Sequence, residues 1–113
     1  MRVLIVEDEY MIAMDIAVAL KHAGCEVAGF AASVTKALRL LDDERCDAVV
    51  LDADLNGDSS EPVAAALLQR GIPYLVVSGY NTGQLPGLLA AAPFLAKPCK
   101  PAALVAAVLA LRS

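Results

Sequence analysis

Residues 47–58 read DAVVLDADLNGD: four apolar residues, Ala48 to Leu51, run into Asp52, and three further acids or amides follow around Gly57. The apolar part carries two adjacent valines and no in/out alternation, the pattern of a strand buried on both faces of a parallel sheet. Companion runs of the same kind flank it on both sides: RVLIV (2–6), EVAGF (26–30), YLVVS (74–78) and PFLA (93–96), with DAVVL (47–51) in the middle.

Helical spacing fills the gaps. Ile12, Ile16 and Leu20 step by four and stop at Gly24, while Ser33 is placed to cap a helix carrying Val34, Leu38 and Leu41. Ser59 or Ser60 starts a third helix with Val63 and Leu67 inward and Gly71 at its end. Pro101 suits the first turn of a last helix bearing Leu104, Val108 and Leu111. Five βα units in series predict an α/β fold, a doubly wound five-stranded parallel sheet with helices on both faces and its site at the carboxyl ends of the strands. At those ends stand Glu7 and Asp8, Asp52, Ser78 and Lys97. Four strands thus deliver three carboxylates, a hydroxyl and an ammonium to one edge.

Composition narrows the function. A chain of 113 residues that is 58% hydrophobic suffices for one domain with one well-buried core. It has no apolar run of the ~18 residues a membrane span needs, and acids follow the first apolar stretch where a signal peptide would stay apolar, so a cytoplasmic location is expected. Three cysteines, Cys25, Cys46 and Cys99, lack Cys-x-x-Cys spacing, and the chain has one histidine, which argues against a disulfide framework or structural zinc. The net charge of −4, with basic residues scattered, argues against direct nucleic-acid binding.

Three chemistries compete for the acidic stretch. Asp52, Asp54, Asn56, Gly57 and Asp58 match the opening of an EF-hand calcium loop, but the twelfth position is Val63 rather than glutamate, and a strand precedes the loop where an EF-hand has a helix. An apolar strand followed by Asp-x-Asp is also how haloacid-dehalogenase-type phosphatases present a nucleophile. Here, however, Asn56 replaces the usual threonine and the length leaves little room for a substrate-recognising cap. The third chemistry uses all the residues. A carboxylate attacking a phosphoryl group needs a divalent cation to screen two anions and a fixed cation to hold the transferred oxygens. Asp8 and Asp52 are suited to bind Mg²⁺ directly, with Glu7 acting through water, and Ser78 and Lys97 are placed to engage the phosphoryl oxygens.

Four ordered motifs, VLIVEDE, VVLDADLNG, VVSGY and FLAKP, resemble those of response-regulator receiver domains over nearly the whole chain. The resemblance implies a flavodoxin-like fold of strand order 2-1-3-4-5 with five helices, spanning residues 1–113 with no output domain. It implies Asp52 as the aspartate phosphorylated by a histidine kinase. It also implies a Mg²⁺ site of Asp8, Asp52 and the backbone carbonyl of Asp54, completed by Glu7. Enzymatic activity is then confined to the protein's own phosphorylation and dephosphorylation, and signalling runs through an unidentified downstream protein or phosphotransfer partner. The stretch AMDIAVALKHAGCEVAGFAASVTKALRLL (13–41) and the GIPYLVVSGY segment are similar to a stand-alone subgroup marked by a Pro-Phe-x-Phe-Ala-Thr-Gly-like stretch and served by kinases of the HWE or a related type. This chain departs from that mark at Tyr74, Val76 and Ser78.

Other residues carry narrower expectations. Phe94 stands where receivers have a switching aromatic, and it has no phenolic hydroxyl to donate. Lys97–Pro98 is expected to be cis, as in receivers. The side chain of Asp54 is expected to overhang the phosphate, Asp58 to be a solvated loop acid, His22 a solvated residue at a helix end, and Cys99 a structural thiol. Gly83, Pro86 and Gly87 make the fourth helix short and easily moved, so residues 79–92 are expected to reorganise around Ser78. The last helix, PAALVAAVLALR, has almost no polar face, which suggests a partner surface such as a homodimer.

Overall fold

The structure is a computed structural model in which residues 1–79 and 85–111 are described. Strands β1 (Arg2–Val6), β2 (Glu26–Ala31), β3 (Ala48–Asp52), β6 (Tyr74–Ser78) and β7 (Phe94–Ala96) form one parallel sheet in the order β2-β1-β3-β6-β7. Between β3 and β6 lies a two-stranded antiparallel hairpin, β4 (Asp54–Leu55) and β5 (Asp58–Ser59), which the hydrophobic pattern does not predict. With the hairpin set aside, the order is the 2-1-3-4-5 that the resemblance implies.

The absence of alternation in the strands has a direct cause. Leu4 and Val6 of β1 pack with Val49 and Leu51 of β3 into a layer under α2 (Val34–Asp43), α3 (Glu61–Arg70) and α4 (Gly87–Ala90). Their neighbours Val3, Ile5 and Val50 face the other way, against Ile16, Leu20, Leu104 and Val108 of α1 (Tyr10–His22) and α5 (Pro101–Ala110). Both faces of the central strands are therefore apolar, and each layer removes large side chains from water.

Local chemistry sets the boundaries. The β3 strand begins at Ala48 rather than Asp47, and at its entrance the Asp47 carboxylate accepts the Arg2 backbone N–H at 2.8 Å. Ser33 caps α2, its Oγ accepting the Lys36 N–H at 3.2 Å. Gly71 ends α3 in the left-handed region at φ 68°, which glycine adopts without steric cost. The Lys97–Pro98 bond is cis, as expected. The fourth helix is four residues long, in keeping with its glycine and proline content, while residues 80–84 of the segment expected to reorganise lie outside the described residues. Among the described residues, no helix is long and apolar enough to cross a membrane.

Candidate functional site

Three of the strands that supply site residues, β1, β3 and β7, are each extended by one hydrogen bond past their ends. Glu7 N–H donates to the Ala31 carbonyl at 2.9 Å, Ala53 N–H to the Val77 carbonyl at 3.2 Å, and Lys97 N–H to the Ser78 carbonyl at 2.8 Å. These extra rungs hold Glu7, Asp52 and Lys97 in sheet geometry at the carboxyl edge, so their side chains are fixed by the framework rather than by a loose loop.

The result is a buried charge cluster. Lys97 Nζ lies 2.7 Å from Asp52 Oδ2 and 2.8 Å from Glu7 Oε1, with the two carboxylates almost fully buried. The second oxygen of each acid takes a backbone donor. Glu7 Oε2 accepts Glu9 N–H at 3.1 Å and Asp52 Oδ1 accepts Asp54 N–H at 3.1 Å. Burial lifts the Glu7 carboxyl to about 7, with Asp52 adding to the effect and Lys97 opposing it. For Lys97, burial alone would favour the neutral amine, but its hydrogen bonds to Asp52 and Glu7 outweigh it and push the group to about 12. One cation is thus shared between two buried carboxylates.

Asp8, half-buried, completes the acid set. Ligand oxygens of Glu7, Asp8 and Asp52 all lie within 4.8 Å of one another. Three carboxylates with no nitrogen or sulfur donor among them are the chemistry a hard divalent cation such as Mg²⁺ prefers, so the residues present fit the metal expected from the sequence.

Ser78 is buried at 1% exposure at the end of β6, paired with Ala96 of β7, so it sits beside Lys97 at the same edge. Phe94 lies further down β7, half-buried and packed against the layer that contains α3 and α4. The Asp54 Oδ2 accepts the Gly57 N–H at 3.2 Å and braces the hairpin turn. Asp58 is exposed in β5, and His22, also exposed, is the last residue of α1. Cys99 is half-buried in the α1/α5 layer.

Two contacts had no forecast in the sequence. Asp8 Oδ2 accepts the Asn56 N–H at 3.1 Å, tying the hairpin to the acidic cluster. Leu88 of α4 is held at both backbone groups, its N–H donating to Glu61 Oε2 at 3.2 Å and its carbonyl accepting the Tyr74 hydroxyl at 2.8 Å. The Asn-Gly pair at 56–57 was the available signal for the hairpin. The Leu88 tether joins residues far apart in the chain and has no local pattern.

The profile of the family described as response regulator receiver domain matches residues 3–109, and the chain belongs to that family. It is a phosphoacceptor module of two-component signalling. Among solved structures it is similar to SdrG from Sphingomonas melonis Fr1, at 34% identity over 99% of this chain and 96% of that one, with a TM-score of 0.85. A response regulator from Chloroflexus aurantiacus is 30% identical over 98% of this chain and 96% of that one, with a TM-score of 0.84. A third, from Burkholderia pseudomallei, carries a phosphorylated aspartic acid and a calcium ion; it is 26% identical over 95% of this chain and 65% of that one, at a TM-score of 0.83. No curated protein sequence matches the chain. The family match takes up the Asp-x-Asp stretch that had suggested a phosphatase, and that alternative is not favoured.

Proposed function

We propose that Asp52 is the phosphoacceptor and that the protein takes its phosphoryl group from a histidine kinase, of the HWE type on the sequence likeness of residues 13–41 and the GIPYLVVSGY segment. The carrying observation is Lys97 shared between Asp52 and Glu7 at hydrogen-bond distance, beside a third carboxylate, Asp8. In this reading an oxygen of Asp52 attacks phosphorus, the bond from phosphorus to the kinase imidazole nitrogen breaks, and the imidazole leaves with the electron pair. The product on Asp52 is an acyl phosphate. The Burkholderia relative with its phosphorylated aspartic acid supports this chemistry.

The Mg²⁺ that Asp8, Asp52, Glu7 and the Asp54 carbonyl would hold supplies screening between the carboxylate and the incoming phosphoryl oxygens. The remaining work belongs to the chain. Lys97 keeps Asp52 ionised and oriented before transfer and pairs with a phosphoryl oxygen afterwards, as charge-assisted hydrogen bonds favour. Ser78 donates its hydroxyl to another phosphoryl oxygen, and its shift is passed to residues 79–92, with Phe94 repacking as that segment moves. The changed surface binds a downstream protein, and the apolar α5 contributes a homodimer contact. A kinase-fed phosphorelay of this kind operates in the cytoplasm.

Intact-protein mass after incubation with acetyl phosphate tests the reading. Wild type should gain one phosphoryl group only with Mg²⁺ present, and Asp52→Asn should gain none. Equal uptake by Asp52→Asn would transfer the role to another acid, and no uptake by either would remove phosphate control.

A further inference from the structure

The Asn56-Gly57 turn is built with two residues in the left-handed region, at φ 53° and 90°. Both central residues with positive φ define a tight hairpin turn of the type that Asn-Gly favours. The hairpin is anchored from below by Leu55, which is 2% exposed in the core. It is braced internally by Asp54 Oδ2 on the Gly57 N–H. So the Asn56 N–H is held at a fixed place, and there it meets Asp8 Oδ2 at 3.1 Å.

Asp8 differs from its neighbours in what holds it. Glu7 and Asp52 share the Lys97 ammonium, whereas the Asp8 carboxylate takes the hairpin amide. We infer that the Asn56-Gly57 turn is a positioning element for the metal site: its amide fixes one oxygen of Asp8 and leaves the other for the cation. The inference rests on the reading of Glu7, Asp8 and Asp52 as a Mg²⁺ site. Outer hydrogen bonds of this kind orient ligands, and their loss weakens metal binding by about tenfold or more. The polar residues of DADLNGD then divide the work among themselves. Asp52 takes the phosphoryl group, Asp54 braces the turn, Asn56 steadies Asp8, and Asp58 closes the hairpin.

Two measurements test it. In a Mg²⁺ titration followed by NMR, Asn56→Gly keeps the turn and should bind like wild type, while Asn56→Val, strained at positive φ, should bind about tenfold more weakly. Wild-type affinity in a folded Asn56→Val would overturn the inference. Should that variant fail to fold, the second measurement decides. In metal-free protein the Asn56 amide should exchange slowly, and faster in Asp8→Ala, whereas equal exchange in the two proteins would show that the bond orients nothing. A wild type that binds no Mg²⁺ would instead defeat the metal-site reading, and the metal-free exchange comparison would still report on the Asn56 contact by itself.

Discussion

Lys97 Nζ, one residue past the edge strand, lies 2.7 Å from Asp52 Oδ2, on the central strand. The same nitrogen holds Glu7, so one ammonium balances two buried acids and its removal leaves both without a cation. Breaking a buried pair from one side costs far more than the pair contributes net, because the remaining charge cannot recover its hydration.

Lys97→Met should therefore lower the stability of the metal-free protein by about 3 kcal/mol in urea denaturation. Added Mg²⁺ should restore part of the loss by supplying a replacement cation. An unchanged midpoint would show that Lys97 serves phosphoryl chemistry alone.

Glu7 sets a pH dependence. Its folded carboxyl titrates near 7 against an ordinary value of 4.5, so between these values the folded state binds more protons than the unfolded one. Stability must then fall as pH rises from 4.5 through about 7. Lys97, raised to about 12, stays charged throughout and does not contribute to this slope. Thermal melts of metal-free wild type should show the decline and Glu7→Gln should flatten it. A wild-type melting point that is level or rising over this range would contradict the assignment.

The double hold on Leu88 predicts how firmly α4 is seated. Tyr74→Phe removes the hydroxyl that reaches the Leu88 carbonyl, and Glu61→Ala removes the acceptor of its N–H. Each should cost about 1 kcal/mol and speed amide exchange across α4 roughly fivefold. Exchange at wild-type rates in both variants would mean that apolar packing of Leu89 alone seats the helix.

Ser78→Ala separates phosphate uptake from its consequences. The variant should still gain one phosphoryl group from acetyl phosphate, since Asp52 and Lys97 are untouched. Amide exchange at residues 85–91 should then no longer respond to phosphorylation. A full response without the hydroxyl would shift the coupling to the hairpin and Glu61.

The sequence revealed most where a residue's role is local or repeated. Strands β1, β3 and β6 were legible because burial on both faces leaves an apolar run, and the site was legible because every member closes such a run. The β4–β5 hairpin escaped because two-residue strands carry no periodicity, and its Asn-Gly signal also fits the opening of a calcium loop. Asp54 illustrates a different limit: its spacing from Asp52 gave no sign that its side chain also accepts the Gly57 amide three residues on, a contact set by the turn. The Tyr74–Leu88–Glu61 arrangement depends on how α3, α4 and β6 dock, which no window of sequence contains.

The shared Lys97 also bears on the order in which the molecule comes into being. Glu7 and Asp52 both precede Lys97 in the chain, and Lys97 directly follows the strand that forms the outer edge of the sheet. Until that strand docks, the two acids lack the ammonium they share. Assembly of the cluster is thereby tied to completion of the sheet: the ammonium reaches its two acids only when the edge strand is in place.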